Sequence, residues 1–388
     1  MHSICQICGS SSWLDLPNPG PRRSVTTAGR ILDEPLGKSQ CAECGLVQRI
    51  AARFLGHTDY YEQDYAKYYD RPGTTQYHRA RYDVLVKWMA SASPLMPTRI
   101  LDVGCGQGWA MEAMRALYPE AIIEGIEPSN FNSEVARNKG FVVYEARAGL
   151  AELPRTKYDL VYANNVIQHV TNARQFVESL KDMVSDEGVI IITCPDGSVP
   201  NIEILWSDQN FSFLPEHLIR LCKEIGFSTI EWFDSPSSPS VPPAQMLLLS
   251  KDCELLKGRN GREVPAASLL DIYRSKSDYL NSFTVIDDYI CSRTRGCRRV
   301  FNFGASYWSS ILAAYCPRYW QEVSACLVEE IAAGSPFLDK RVMQMEVAKP
   351  TDKDAVVLGT SPATHESLSA RYATAGQTVI SWNQFIRY

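Results

Sequence analysis

Between Arg99 and Met114 the sequence reads RILDVGCGQGWAMEAM. An apolar run meets three alternating glycines, Gly104, Gly106 and Gly108, and passes at once into helical spacing. Glycine lets the backbone turn tightly and approach a ligand closely, so this stretch reads as a strand, a turn and a helix. The segments that follow keep the alternation. AIIEGIEPS reads as a strand, NSEVARNKG as a helix closed by glycine, and FVVYEA and YDLVYANN as strands. ARQFVESLKDMVSDEG reads as a helix running to Gly188, and VIIITCPD is the wholly apolar strand that the centre of a parallel sheet requires. YHRARYDVLVKWMAS precedes the series as an amphipathic helix, and EHLIRLCKEIGF follows it. TIEWFD and QMLLLSK suit a terminal antiparallel pair. This order predicts an α/β fold, a doubly wound sheet with helices on both faces.

A chain of 388 residues exceeds one ordinary core. Three regions separate: residues 1–70 with paired cysteines and a tyrosine-rich tract, 71–258 with the alternation above, and 259–388 with a second αβ pattern. The last boundary falls at the polar stretch KGRNGREVP. Beyond it RRVFNFGAS, VSACLVEE, DAVVLGTS and QTVISW read as strands, and SSILAAYC begins a helix. A net charge of −5 supplies no basic field for nucleic acid. No run of about 18 apolar residues suggests a membrane span. The opening MHSICQICGS lacks the pattern of a secretory leader, so the expectation is a cytoplasmic protein with reduced cysteines.

Which ligand does the glycine turn hold? A dinucleotide fingerprint places a third glycine at position 109, where this chain has Trp109. Asp102 ends the strand, and a carboxylate there is awkward beside a pyrophosphate. It suits S-adenosylmethionine (SAM), which carries a sulfonium and an ammonium and no phosphate. Glu127 and Pro128 end the next strand, where a carboxylate can accept both ribose hydroxyls. Together LDVGCGQG and GIEPS resemble the class I SAM-dependent methyltransferases. That resemblance puts Asp102, Gly104, Gly106 and Gly108 at the methionine end, and Glu127 on the ribose. A purely structural turn is the competing reading. Ligands of open αβ sheets lie beyond the carboxyl ends of the strands, where YDLVYANNVIQHV places Asn164, Asn165 and His169. Asn164 is assigned to the cofactor. His169 either acts as a general base, its pKa lying near working pH, or caps a helix start.

Cys5 and Cys8, and Cys41 and Cys44, form two C-x2-C knuckles, each followed by glycine. Four thiolates at this spacing suit a tetrahedral structural zinc, whose binding energy would fold a segment poor in apolar residues. A redox pair is the alternative, but neither knuckle opens a helix in a thioredoxin-like pattern. The other eight cysteines read as packing residues.

Over essentially its full length the chain resembles the SAM-dependent C-methyltransferases that act on nucleotide-linked deoxysugars. CQICGS…EPLGKSQCAECGLVQ looks like the zinc module of that family, and DYYEQDYAKYYD like its tyrosine segment. FNFGASYWSSILAAY and AVVLGTSPATHESL look like its C-terminal domain. The resemblance implies a class I methyltransferase (Rossmann-like) core between a small zinc-binding module and a C-terminal Rossmann-like αβ domain. It implies SAM as cofactor and a nucleotide-linked keto-sugar as substrate. It gives His169 the base role, and Tyr65 to Tyr69, with Tyr65 and Tyr69 foremost, substrate-site roles. These tyrosines equally suit packing between domains.

The family's Glu-His pair falls here on Asp208 and Gln209, within WSDQNFSFLPEHL. Asp208 can serve as an acid or orienting group, but Gln209 cannot shuttle a proton. His217 either compensates or lies on the surface, and Gly304 either admits a phosphate to a helix start or only turns the chain. Transfer to oxygen or nitrogen of a small molecule, an NAD-dependent oxidoreductase and a non-catalytic scaffold are the rival functions. Trp109 and Asp102 speak against the oxidoreductase.

Overall fold

The computed structural model of the protein describes residues 4–20, 22–50, 60–65, 74–147, 156–236, 243–256, 268–329, 336–373 and 378–387. Both expected domain boundaries, and Tyr68 and Tyr69, lie outside the described residues.

The N-terminal module contains β1 (Trp13–Asp15), β2 (Ser24–Val25), β3 (Ile31–Leu32), β4 (Lys38–Cys41) and β5 (Val47–Arg49). The core opens with α1 (Thr74–Ala92), β6 (Arg99–Val103), α2 (Trp109–Leu117), β7 (Ile122–Ile126), α3 (Asn130–Asn138) and β8 (Val142–Tyr144). It continues through β9 (Tyr158–Asn164), α4 (Ala173–Met183), β10 (Val184–Pro195), β11 (Phe211–Ser212), α5 (Pro215–Ile225), β12 (Thr229–Phe233) and β13 (Ala244–Ser250). Its seven-stranded sheet has the order β12-β13-β10-β9-β6-β7-β8. The strands from β10 to β8 pair in parallel, while β13 runs antiparallel to both β10 and β12. Strand order reverses beside β6, so the crevice where such sheets bind ligands opens beyond the ends of β6 and β9.

The sheet's apolar strands face helices on both sides, as the doubly wound reading expects. Val161, Ala163, Ile190 and Ile192 pack toward α4 and α5. Leu160, Tyr162, Val189 and Ile191 pack toward α1 and α2. The helix expected to reach Gly188 instead ends at Met183. Val184 is already extended and pairs with Tyr158, so β10 starts there and carries an irregularity before Val189. A β-branched residue beside a parallel neighbour overrides the helical pattern of the polar residues after it.

The C-terminal domain begins with the long α6 (Leu269–Thr294), followed by β14 (Val300–Phe303), α7 (Tyr307–Tyr315), α8 (Pro317–Glu322) and β15 (Val323–Val328). Then come β16 (Val342–Gln344), α9 (Met345–Ala348), β17 (Ala355–Leu358), α10 (His365–Ala373) and β18 (Thr378–Ile380). Its sheet is wholly parallel, in the order β16-β15-β14-β17-β18. Gly304 follows β14 with φ 120°, and a Cβ there would meet the Gly359 carbonyl at 2.9 Å. This glycine therefore serves the close approach of two strand ends.

The module does not stand apart. Strand β11 of the core pairs with β5 and completes the sheet β1-β4-β5-β11. Cys5, Cys41 and Leu46 join the core's apolar cluster, whereas Leu16, Val25 and Leu36 join one with Leu205, Trp206 and the helices of the C-terminal domain. Among the described residues no helix is long and apolar enough to cross a membrane.

Candidate functional site

The turn after β6 is built as the sequence reading requires. Gly104, Gly106 and Gly108 all have positive φ, at 80°, 52° and 78°, where L side chains are strained. At Gly104 a Cβ would also stand 2.5 Å from a Val166 methyl. Glu127, at the tip of β7, holds the turn. Its Oε2 accepts the Gly106 N–H at 2.9 Å and its Oε1 the Ser129 N–H at 2.9 Å. Each oxygen keeps a lone pair for a further donor. Burial nevertheless pushes the Glu127 carboxyl up to about 7, against those two backbone bonds. Asp102 sits beneath the turn and not on a cleft wall. It is 2% exposed and accepts the Tyr162 hydroxyl at 2.8 Å, and burial raises its pKa to about 8.

An open cleft of about 1040 Å³ lies beyond these strand ends. Gly104, Glu127, Pro128, Asn165 and His169 line it, together with Tyr61, Tyr65 and Arg147. Of the two asparagines, Asn165 lines the cleft and Asn164 does not. Asn164 accepts the Thr193 hydroxyl at 2.5 Å, while Asn165 faces the cleft with φ 57°. Left-handed backbone in a non-glycine residue is uncommon and gathers at ligand sites, and asparagine tolerates it best.

His169 lies at the heart of a small network. Its Nδ1 is 3.0 Å from the Asp208 backbone carbonyl and 3.0 Å from the Tyr61 hydroxyl, which itself donates to that carbonyl at 3.1 Å. A carbonyl only accepts, so the contact places the ring proton on Nδ1 and leaves Nε2 with its lone pair. Nε2 makes no hydrogen bond among the described residues. Burial pushes the imidazole below its ordinary pKa, against the pull of the Asp208 charge. Asn210 Nδ2 donates to the His169 carbonyl at 2.9 Å, and the Asn210 carbonyl accepts from the Arg49 N–H of β5. The module thereby helps hold the loop that carries the histidine.

Asp208 does not reach the cleft with its side chain. Its carboxylate is 2% exposed and takes the Thr27 N–H at 2.8 Å and the Thr27 hydroxyl, with Tyr60 at 3.4 Å. It acts on His169 through its backbone carbonyl instead. Gln209 is buried and donates to Glu203. His217 is neither on the surface nor in the cleft: its Nδ1 accepts the Leu214 N–H and its Nε2 donates to the Cys44 carbonyl at 2.7 Å. Burial lowers its pKa to about 4. Tyr61 and Arg147 are among the cleft residues that sequence reasoning did not assign to the site, whereas it placed Asn165 at this edge without a role. Arg147 lies just past the tip of β8, so the rule that ligands sit at strand ends could have found it. It pairs with Glu62 at 3.3 Å, which ties the tyrosine segment over the cleft.

The sulfur atoms of Cys5, Cys8, Cys41 and Cys44 all lie within 4.8 Å of one another. Cys5 to Cys44 is 3.6 Å and Cys8 to Cys41 is 3.5 Å. Zinc–sulfur bonds of about 2.3 Å in a tetrahedron set edges of about 3.8 Å, so the four thiols fit a closed zinc site. Gln6, between the first two cysteines, donates to the Thr171 carbonyl at 2.7 Å and accepts the Ala173 N–H at 3.2 Å. Thr171 and Asn172 belong to the cleft wall.

Comparison with known proteins identifies the core. Residues 75–232 match the family model of the methyltransferase domain, and the core is a class I SAM-dependent methyltransferase domain. Over 161 residues the chain is 28% identical to a ubiquinone biosynthesis O-methyltransferase of Azorhizobium caulinodans, covering 38% of this chain and 63% of that protein. Over 168 residues it is 28% identical to a malonyl-[acyl-carrier protein] O-methyltransferase of Legionella pneumophila, covering 42% and 55%. Over 102 residues it is 33% identical to a trans-aconitate 2-methyltransferase of Methylobacterium nodulans, covering 26% and 39%. The chain thus spans 39% to 63% of the length of these curated relatives. A solved structure of a possible histamine N-methyltransferase from Thermotoga maritima aligns at TM-score 0.39 and 19% identity, over 46% of this chain and 93% of that one.

Proposed function

We propose that this chain, whose core is a class I methyltransferase domain, transfers a methyl group from SAM to a small molecule deprotonated by His169. The observation that carries the reading is the His169 network. It sits on the wall of the same cleft as Glu127 and the glycine turn, with Nε2 unbonded among the described residues. The residues fit the cofactor. At Gly106 a Cβ would meet nothing within 4 Å, so the turn is open there, beside a carboxylate with lone pairs for ribose hydroxyls. Glu127 would hold the ribose, and the backbone at Gly104 would pass beneath the methionine end. SAM supplies an electrophilic methyl on its sulfonium. His169 Nε2 takes the proton of the acceptor, and the Asp208 carbonyl supports the imidazolium that results. Tyr61, Tyr65 and Arg147 close one side of the cleft and exclude water. Burial holds Tyr61 well above its ordinary pKa, so it remains a phenol and a hydrogen-bond donor.

The acceptor we propose is a nucleotide-linked keto-deoxysugar, methylated at the carbon beside its ketone. Its support is the resemblance of the zinc module, tyrosine segment and C-terminal domain to enzymes with that substrate. A second reading, transfer to oxygen, is favoured by one observation. Gln209 takes the place of the family histidine, and it is buried and occupied with Glu203. Removing a proton from carbon demands more acid–base help than removing one from oxygen. Structural zinc at the four cysteines belongs to either reading. The test is product analysis after incubation with methyl-labelled SAM and candidate keto-sugars. A methyl group that resists ether cleavage supports transfer to carbon, and a labile one transfers the assignment to oxygen. Labelled product from none of the acceptors removes the sugar reading.

A further inference from the structure

The turn between β2 and β3 reaches from the N-terminal module to the loop that orients His169. It is closed on itself. The Thr26 N–H donates to the Arg30 carbonyl at 2.9 Å, the Gly29 N–H to the Thr26 carbonyl at 2.8 Å, and the Arg30 N–H to the Thr26 hydroxyl at 3.2 Å. Gly29 has φ 83°, and a Cβ there would stand 2.9 Å from the Ser310 hydroxyl oxygen, so the turn is pressed against α7 of the C-terminal domain. Thr26 uses its side chain inside the turn. Thr27 uses its own outside it, on Asp208.

A carboxylate as buried as that of Asp208 has to find donors within the protein. The Thr27 N–H supplies one to Oδ1 at 2.8 Å and the Thr27 hydroxyl supplies one to Oδ2, so a single residue grips both oxygens. Tyr60 adds a long contact of 3.4 Å. Two bonds from one residue fix the direction of the side chain, and with it the main chain that bears it. That main chain carries the carbonyl on which His169 Nδ1 rests. Before it, the Ser207 N–H donates to the Val25 carbonyl at 2.8 Å, and the Ser207 carbonyl accepts from the Arg49 guanidinium at 2.9 Å. After it, the Gln209 N–H reaches the Trp206 carbonyl at 3.4 Å, a weak bond. The peptide that bears the Asp208 carbonyl is therefore loosely held on that side, and the grip on the carboxylate keeps the carbonyl aimed at the ring.

We propose that Thr27 is a positioning residue for His169: by gripping the Asp208 carboxylate from the N-terminal module, it holds the Asp208 carbonyl against Nδ1 and keeps the lone pair on Nε2. Thr27 does not line the cleft, so it acts through Asp208. The inference rests on the reading of His169 as base, but the place of the ring proton can be measured without any methyl transfer.

Ring-nitrogen NMR of the full-length, metal-loaded chain carrying nitrogen-labelled histidine tests it. His169 is identified by the signals that His169→Asn removes. At neutral pH, where burial keeps the ring uncharged, the wild-type proton should lie on Nδ1. Thr27→Val, similar in shape but without the hydroxyl, should give a mixture of both tautomers. Its kcat should fall about 10–100-fold, the scale of a misplaced catalytic group, with the SAM dissociation constant within about twofold of wild type. Thr27→Ser should restore both the tautomer and the rate. Asp208→Asn keeps the grip, because its amide can accept from the Thr27 N–H and donate to the Thr27 hydroxyl, so the proton should stay on Nδ1. That variant decides between grip and charge even where Thr27→Val does not fold. A mixed tautomer in the wild type, an unchanged one in Thr27→Val, or a lost preference in Asp208→Asn would overturn the proposal. A tautomer that follows Thr27 in a chain that transfers no methyl group would uphold the positioning role and remove the reading of His169 as base.

Discussion

His169 Nδ1 is tied to a backbone carbonyl that no side-chain substitution removes, so the imidazole's orientation depends on main-chain position. Replacing His169 with Asn should lower the methyl-transfer rate by about 10²–10⁴-fold, the usual worth of a general base. SAM affinity by titration should stay near wild type. A rate within threefold of wild type would remove His169 as base. Because burial lowers its pKa, the base is already free at neutral pH. The rate constant kcat/KM should rise with pH through an inflection below the ordinary histidine value and be flat above it; an inflection in the alkaline range would contradict the assignment. Asp102 and Glu127 act in the same direction on stability. Their pKa values are raised to about 8 and about 7, so the folded chain holds protons that the unfolded chain releases near the usual carboxylate values. Stability from these groups is complete in acid and is lost as pH rises toward 8. Asp102→Asn should flatten that decline in the unfolding midpoint, and an unchanged slope would refute it. At this scale the sequence was legible where residue type alone decides, as at the glycine turn and the cysteines. It was not legible where side-chain direction decides. Nothing in the spacing says that Asp208 turns its carboxylate to Thr27, or that Tyr61 and not Asn164 faces the cleft.

Among elements, the knuckle at Cys5–Cys8 and helix α4 are joined by Gln6. Its amide bonds the Thr171 carbonyl and the first N–H of α4, beside the Asn172 side chain that caps the same helix at Gln175. Gln6→Ala should retain about one zinc per chain and cost roughly 1 kcal/mol, the net worth of a typical hydrogen bond. Hydrogen exchange at residues 173–176 should quicken; unaltered exchange there would show that the knuckle does not brace the cleft wall. If the four cysteines hold zinc as proposed, chelation should go further and loosen both β5 and the paired β11, since the metal would supply the module's folding energy. The helices and parallel strands were readable from period and from apolar runs. The start of β10 inside an apparent helix, and the three-residue β16, were not, because pairing with a neighbour decides them.

Taken whole, the molecule is stitched through its N-terminal module. Val25, Leu36 and Leu16 pack with Leu205 and Trp206 of the core and with Phe283 and Tyr315 of the C-terminal domain. Tyr315 also donates to the Leu205 carbonyl at 2.6 Å. Trp206→Ala should cost about 3–5 kcal/mol as a buried aromatic deletion. It should also split one unfolding transition into two in calorimetry; a single unshifted transition would contradict the shared core. The alternation of strand and helix in the core could be read from composition and motif, whereas the packing of the N-terminal and C-terminal segments against it could not, because it rests on contacts between distant segments. The most direct test of the central claim is isothermal titration of SAM, S-adenosylhomocysteine and NAD into the purified chain after its metal has been assayed. The account predicts one site per chain for SAM and its product, in the micromolar range, and no heat with NAD. Binding of NAD without SAM, or of neither, would mean that the glycine turn is not a SAM site.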